Sequence, residues 1–193
     1  MEPVSKQGRP KASSRETLSE AACELFLEKG YDATSVSDIT ARAGVSRSSF
    51  FNYFAAKSDV IWSGFDKRLE RLISELSTST RDDVRVDVRD AIVRFADGFA
   101  PDALALVMSN AAAMDAEADL EREGSLRMVR MAAALSSRFA RAGSDELHAA
   151  ILGAAYAAAV LSATQRWALD GSGRSLLSDR LGQAVAAVEA LVA

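Results

Sequence analysis

Hydrophobic residues recur at intervals of three and four positions along most of the chain, which is the spacing of an amphipathic helix. In the first such segment they are Leu18, Ala21, Ala22, Leu25 and Phe26. Ser13 and Glu16 precede this segment as a capping box, and Gly30 follows it as a left-handed cap. The pattern therefore predicts a first helix over residues 14–29.

A tight turn separates the second and third predicted helices. The second helix follows the predicted N-cap Ser35 and ends at Gly44, where glycine permits a backbone conformation that a side chain would oppose. Ser46 caps a short third helix over residues 47–53. These two helices and the turn between them predict a helix-turn-helix motif.

The rest of the chain keeps the helical pattern. A fourth helix begins near Lys57 and fades in the polar string Ser77–Asp83, which is a candidate break between domains. Further helices are predicted over residues 84–100, 102–114, 119–142, 144–169 and 175–192. We find no repeat and predict no strand, so the expected fold class is all-α with about nine helices.

Composition indicates a globular intracellular protein. Hydrophobic residues make up 49% of the 193 positions and charged residues 26%. The lone cysteine, Cys23, excludes an internal disulfide, and the polar N-terminus does not resemble a secretory signal. The longest apolar stretch, Gly153–Leu161, is about half of what a membrane span needs. We expect a cytoplasmic protein with no membrane segment.

Charge alone does not indicate a nucleic-acid partner. The formal net charge is −4. Only the N-terminal arm is basic, with Lys6, Arg9, Lys11 and Arg15 against Glu2. Such an arm is commonly a solvated tail.

The helix-turn-helix motif gives a more specific indication. Ile39 and Val45 are expected to pack against helix 1, which leaves Arg47, Ser48, Ser49 and Asn52 facing outward. A short polar helix on an apolar scaffold can enter the DNA major groove. Helical corners of this kind also occur without DNA binding, so a helical protein-binding adaptor remains the alternative.

Residues 15–60 resemble the N-terminal domain of TetR-type transcriptional regulators. The resemblance lies in Ala21-Ala22, Leu25-Phe26, Gly30-Tyr31, Thr34-Ser35-Val36, Ile39, Ala43–Ser46, Phe50–Phe54 and Lys57. The stretches Phe50–Phe54 and Val60–Asp66 are also similar to regulators associated with mycofactocin gene clusters. The family implies a basic arm over 1–13, a DNA-binding domain over 14–60, and an effector-binding and dimerisation domain over 61–193.

The resemblance assigns roles to residues of the motif. Thr34 or Ser35, Tyr53 and Lys57 would contact phosphates, and Arg42 and Ser46 would flank the groove. The residues that would approach base edges are Arg47, Ser48, Ser49 and Asn52. Phe51 stands where the family usually has tyrosine; it would either contact a thymine methyl, which we favour, or pack inward.

The family also implies a homodimer that binds operator DNA and a small-molecule effector, with repression as the default. Close helix contacts could come from Ala149, Ala150, Gly153, Ala154, Ala157 and Ala158, although alanine-rich helices are more often intramolecular core. A hydrophobic effector pocket would draw on Phe65, Phe95, Phe99, Met108, Met128, Met131, Phe139 and Trp167. Such stripes are more often plain core than a pocket.

The sequence does not indicate an enzyme. One histidine and one cysteine cannot form a Cys/His site with a resolving partner, and no glycine-rich phosphate loop occurs. His148 is expected at the surface. The acidic residues at 115, 117, 119, 121 and 123 are interpreted as a solvated face. We expect no cofactor and no metal.

Overall fold

A computed structural model describes residues 14–191, and within that range all regular secondary structure is helical, in nine α-helices joined by turns and loops. The helices are α1 (Ser14–Lys29), α2 (Val36–Ala43), α3 (Arg47–Phe51), α4 (Asp59–Thr78), α5 (Val84–Phe95), α6 (Ala103–Ser109), α7 (Glu117–Arg141), α8 (Glu146–Leu169) and α9 (Leu177–Leu191). The all-α prediction is confirmed, and so are the bounds of α1 and α2.

Local caps explain why the first helices begin and end where they do. The Ser35 hydroxyl accepts a hydrogen bond from the Asp38 amide at 3.2 Å, and the Asp38 carboxylate accepts one from the Ser35 amide at 2.8 Å. This capping box starts α2, and Gly44, with φ of +66°, ends it. Ile39 and Phe50 then pack α2 and α3 against α1.

The fifth and sixth helices end well before their predicted bounds. The fifth was expected to reach residue 100, but α5 ends at Phe95, because Gly98 adopts φ of +66° and turns the chain. The sixth was expected to reach Met114, but α6 ends at Ser109 and turns follow. The Met114 carbonyl there accepts a hydrogen bond from the Tyr31 amide at 2.6 Å, so a tertiary contact replaces the helical one.

The long helices pack closely in the C-terminal part. A Cβ atom placed on Gly153 of α8 would lie 2.5 Å from the Ala132 carbonyl oxygen and 2.8 Å from the Ser136 amide nitrogen of α7. Only glycine fits such an approach between two backbones. By length and composition α8 could cross a membrane, as many core helices could. Its packing between α7 and α9 accounts for its apolar character.

A single hydrophobic cluster runs from Leu18 in α1 to Val188 in α9. Neither the polar string Ser77–Asp83 nor position 60 separates two cores, because α4 contacts helices on both sides. The predicted arm over 1–13, the Ser13 cap and the C-terminal Val192 lie outside the described residues.

Candidate functional sites

The outward surface of α3 carries side chains that the rest of the protein does not use. We call Arg47, Ser48, Phe51 and Asn52 the α3 face. All four are exposed, and within residues 14–191 none of their side chains has a hydrogen bond or an ion pair. The α3 face is therefore available to a partner.

The inward side of α3 fixes its position. Ser46 caps the helix by accepting a hydrogen bond from the Ser49 amide at 3.1 Å, and the two hydroxyls lie 2.9 Å apart. Phe50 is fully buried, with its ring centroid 5.4 Å from that of Phe54. The helix ends at Phe51, two residues earlier than predicted, so Tyr53 lies in the following turn and is 43% exposed.

Phe51 points outward rather than into the core. Its side chain is 48% exposed, its ring meets Phe50 edge-on, and the Arg47 guanidinium lies 5.7 Å from its centroid. The sequence left open whether the Phe51 side chain packs inward or faces outward. It faces outward, where a contact with a base is possible.

Thr34 was one of two residues predicted to contact a phosphate at the start of α2. Its side chain cannot reach DNA in this conformation. It is 2% exposed, and its hydroxyl donates a hydrogen bond to the Gly30 carbonyl at 2.8 Å. Ser35, the other candidate, is exposed at the start of α2.

Two basic residues expected to contact DNA are engaged within the protein. The Arg42 guanidinium pairs with Glu28 at 2.6 Å and with Glu24 at 3.2 Å, which ties α2 to α1. The Lys57 ammonium donates to the carbonyls of Tyr31 at 2.6 Å and Thr34 at 3.0 Å. Burial lowers the pKa of Lys57. The ammonium also lies 3.8 Å from the centroid of the Tyr31 ring, so a phosphate would share its third donor with that ring.

A cavity of about 380 Å³ lies between α4, α6, α7 and α8. Its lining residues are Trp62, Met108, Ala111, Glu117, Leu120, Glu121, Ser125, Leu161 and Gln165. The volume falls in the range of small-molecule sites. Of the eight residues predicted to form a pocket, only Met108 lines it.

The other predicted pocket residues are distributed through the core. Phe65 packs on Phe95 with ring centroids 4.9 Å apart, and Phe139 stacks on Tyr156 near the far end of the bundle. Met131 is buried and Met128 partly buried against the core. Phe99 and Trp167 line a different, shallower cavity of about 360 Å³ beside the α8–α9 loop. Helical spacing predicted that these residues face inward. It could not predict which of them pack in the core and which line a cavity.

The interpretation of the acidic residues at 115–123 as a solvated face holds in part: Asp115, Glu117 and Glu121 are exposed, whereas Asp119 is buried and Glu123 is half-buried. Asp119 is 6% exposed and is bound by Arg122. Glu117 and Glu121 line the cavity. His148, in contrast, is exposed at the start of α8 as expected. Within residues 14–191, no group of His, Cys, Asp or Glu side chains could hold a metal ion.

The cavity and the helix-turn-helix are joined at two places. Trp62, in the first turn of α4, lines the cavity. The Tyr31–Met114 hydrogen bond connects the loop before α2 to the loop between α6 and α7. Burial and the neighbouring Asp119 carboxylate raise the pKa of Tyr31. These contacts place the loop before α2 and the first turn of α4 next to the helices that bound the cavity.

The small residues of α8 fall on two faces. Ala149, Gly153 and Ala157 are buried, whereas Ala150, Ala154 and Ala158 are exposed. Beside the exposed face lies a groove of about 560 Å³ between α8 and α9. Half of its lining residues are alanine, and the others are Ser162, Arg166, Arg180, Gln183, Val188 and Leu191.

Residues 18–61 match the family described as "Bacterial regulatory proteins, tetR family". The chain is 34% identical over 88 residues to the mycofactocin biosynthesis regulator MftR of Mycobacterium tuberculosis. This aligned segment covers 46% of this chain and 43% of MftR. It is 39% identical over 75 residues to the transcriptional repressor DhaR of Mycobacterium sp. strain GP1, covering 37% and 36%. The aligned segments thus span less than half of each of these two relatives. A further relative, FasR of Mycolicibacterium smegmatis, is named as a transcriptional activator.

The fold resembles solved structures over nearly its whole length. A TetR-family regulator from Syntrophomonas wolfei superposes with a TM-score of 0.63 over 92% of this chain and 94% of that one, at 18% identity. That similarity extends the fold match beyond the helix-turn-helix to the C-terminal helices.

Proposed function

We propose that this chain, a member of the TetR family of DNA-binding transcriptional regulators, represses transcription by binding a near-palindromic operator as a homodimer and releasing it when a small molecule binds. Members of this family are regulators rather than enzymes. The α3 face is the observation that carries the proposal, because a short rigid helix with unpaired polar side chains fits the major groove.

Each exposed residue of the motif has a part in this proposal. Arg47 pairs with a guanine in bidentate fashion, Ser48 and Asn52 approach neighbouring base edges, and Phe51 contacts a thymine methyl. Ser35 at the start of α2 and Tyr53 after α3 contact phosphates, as does the remaining donor of Lys57. Ser46 and Ser49 stay close to the backbone, and Arg42 reaches a phosphate only by leaving Glu24 or Glu28.

The homodimer would form through the groove between α8 and α9. A second copy presents the same alanine-lined surface, and small side chains allow four helices to approach closely. A two-fold dimer is required to read two half-sites, so the operator half-sites lie about one helical turn apart or slightly more.

A mobility-shift assay with the DNA upstream of the chain's own gene tests the proposal. A regulator gives a shift that depends on sequence and weakens steeply with salt, whereas a protein-binding adaptor gives none. Reporter expression in the presence and absence of the protein determines the sign of control. Higher expression with the protein present would contradict repression.

We propose that α4 couples ligand binding to release of DNA. It contributes Trp62 to the cavity, and it begins two residues after Lys57. A ligand in the cavity moves α4 and changes the spacing of the two α3 helices. Couplings of this kind are about 1–3 kcal/mol, and operator DNA must weaken ligand binding by the same factor. Equal ligand affinity with and without operator would contradict this switch.

A further inference from the structure

The cavity between α4, α6, α7 and α8 combines apolar walls with free negative charge. Trp62, Met108 and Leu161 supply apolar surface. Glu117 and Glu121 are one helical turn apart at the start of α7, and both line the cavity. Among the described residues neither carboxylate has an ion pair, since the neighbouring guanidiniums bind other acids.

Those guanidiniums are already neutralised. Arg127 donates to both carboxylate oxygens of Asp66, at 2.8 and 2.7 Å, and to Glu123 at 2.7 Å. Arg122 binds Asp119. Carboxylates therefore outnumber guanidiniums around the cavity, and its local potential favours a cation.

The inner wall holds an unsatisfied donor. Trp62 is fully buried, and its indole N–H has no hydrogen-bond partner within the part of the chain that the structure describes. One face of the indole is covered by the Arg127 guanidinium at 4.5 Å, and Phe65 meets the ring edge-on at 5.6 Å. Trp62 is thus held in place on the protein side, and it lines the cavity as a fixed aromatic surface.

We propose that this cavity binds a lipophilic cation, with an ammonium group at Glu117 and Glu121 and an apolar body between Trp62, Met108 and Leu161. The ligand's role as effector rests on the proposed function, but the binding itself is a property of the free protein.

Three probes with the same apolar body separate charge from hydrophobicity: phenylbutylamine, phenylbutanol and phenylbutyrate. Calorimetric titration of the free protein at low salt and neutral pH gives their affinities. We expect the amine to bind about fivefold or more tightly than the alcohol, as two partly exposed ion pairs allow, and the carboxylate to bind most weakly. An alcohol or carboxylate that binds as tightly as the amine, or no binding by any probe, would overturn the proposal.

A double variant, Glu117→Gln with Glu121→Gln, should reduce the preference for the amine to near unity. The matched control is Glu70→Gln with Asp179→Asn, two exposed acids away from the cavity, which should retain it. Retention of the preference in the first variant would contradict the assigned carboxylates.

Location is tested by the indole N–H resonances. The Trp62 signal should shift on binding of the amine, whereas that of Trp167, which donates to the Ser175 carbonyl at 2.8 Å, should not. An unmoved Trp62 signal with bound amine would place the ligand elsewhere. No DNA is present in these titrations, so the two proposals can fail separately. Amine binding without operator binding would refute only the proposed regulation, and operator binding without amine binding would refute only this inference.

Discussion

The α3 face and the cavity at the start of α7 leave charge of opposite sign unpaired. On α3 it is the Arg47 guanidinium, and at the cavity it is the carboxylates of Glu117 and Glu121. Deeper in the protein, charges are paired: Arg138 with Asp87 at 2.8 Å, with each residue 3% exposed. Unpaired charge is tolerated only where water or a ligand reaches it.

This contrast indicates which partner each region accepts. A guanidinium free to turn on a rigid helix suits a polyanion such as DNA, whereas free carboxylates above an apolar wall suit a small cation. The two regions are distinct in place, since α3 lies before α4 in the chain and the cavity is bounded by α4, α6, α7 and α8.

The largest effect is expected where a buried pair is broken. Arg138→Leu leaves Asp87 buried with only Arg81, at 3.8 Å, as a cationic neighbour. We expect the free energy of unfolding to fall by about 3 kcal/mol, because the remaining carboxylate is poorly solvated. Urea denaturation measures it.

Arg180→Leu is the matched control, since the Arg180–Asp170 pair is exposed. It should change stability by less than about 1 kcal/mol. Equal losses of stability in the two variants would contradict the distinction between buried and exposed charge pairs.

Arg47→Ala should weaken operator binding by about 1–3 kcal/mol and relax the preference at one base pair, without changing stability. Competition titrations against a set of single-base operator variants measure both effects. Arg130→Ala, which removes another exposed arginine on α7, should bind like the unaltered protein. Uniform loss of affinity for every sequence would make Arg47 a phosphate contact.

Phe51→Ala should lower operator affinity by about 1 kcal/mol, near the lower end of what one base pair contributes. Because the ring is half exposed, the thermal midpoint should barely change. Leu126→Ala removes a comparably exposed apolar side chain from α7 and should leave DNA binding intact. A marked loss of stability with unchanged DNA affinity would show that Phe51 serves packing alone.

The smallest effect concerns pH and the cap of α2. Hydrogen bonds from Lys29 and then from Ser35 hold the pKa of Asp38 well below its usual range. A lowered pKa in the folded state stabilises the fold above the unfolded value, about 3.9, and the stabilisation is lost as pH falls through the folded pKa. The stability difference between the unaltered protein and Asp38→Asn should therefore be constant near neutrality and shrink in acid. A pH-independent difference would contradict this.

Sequence reasoning succeeded where structure depends on neighbours in the chain. The bounds of α1 and α2 follow from Gly30, Ser35, Asp38 and Gly44, all within a few positions of the helix ends they define. The outward placement of Arg47 and Asn52 follows from one buried position, Phe50, on a short helix. Helix ends that depend on tertiary contacts could not be predicted in this way. The early end of α6 is accompanied by the Tyr31–Met114 hydrogen bond, which joins residues 83 positions apart.

The cavity could not be predicted for the same reason. Phe65, Phe95 and Phe139 have the spacing of inward-facing residues, and they do face inward, but into close-packed core. Whether an inward position meets a neighbour or a space depends on how helices distant in sequence approach one another. Two signals were available: Trp62 one turn before Phe65, and the pair of acids one turn apart at 117 and 121.

Quantitative footprinting on the upstream DNA, repeated at increasing salt, measures whether the protein reads two half-sites as a dimer. We expect two symmetric protected half-sites, about one helical turn apart, and a logarithm of the binding constant that falls linearly with the logarithm of the salt concentration. A single asymmetric half-site, or protection that ignores sequence at every salt concentration, would contradict the α3 face as a paired reader of DNA.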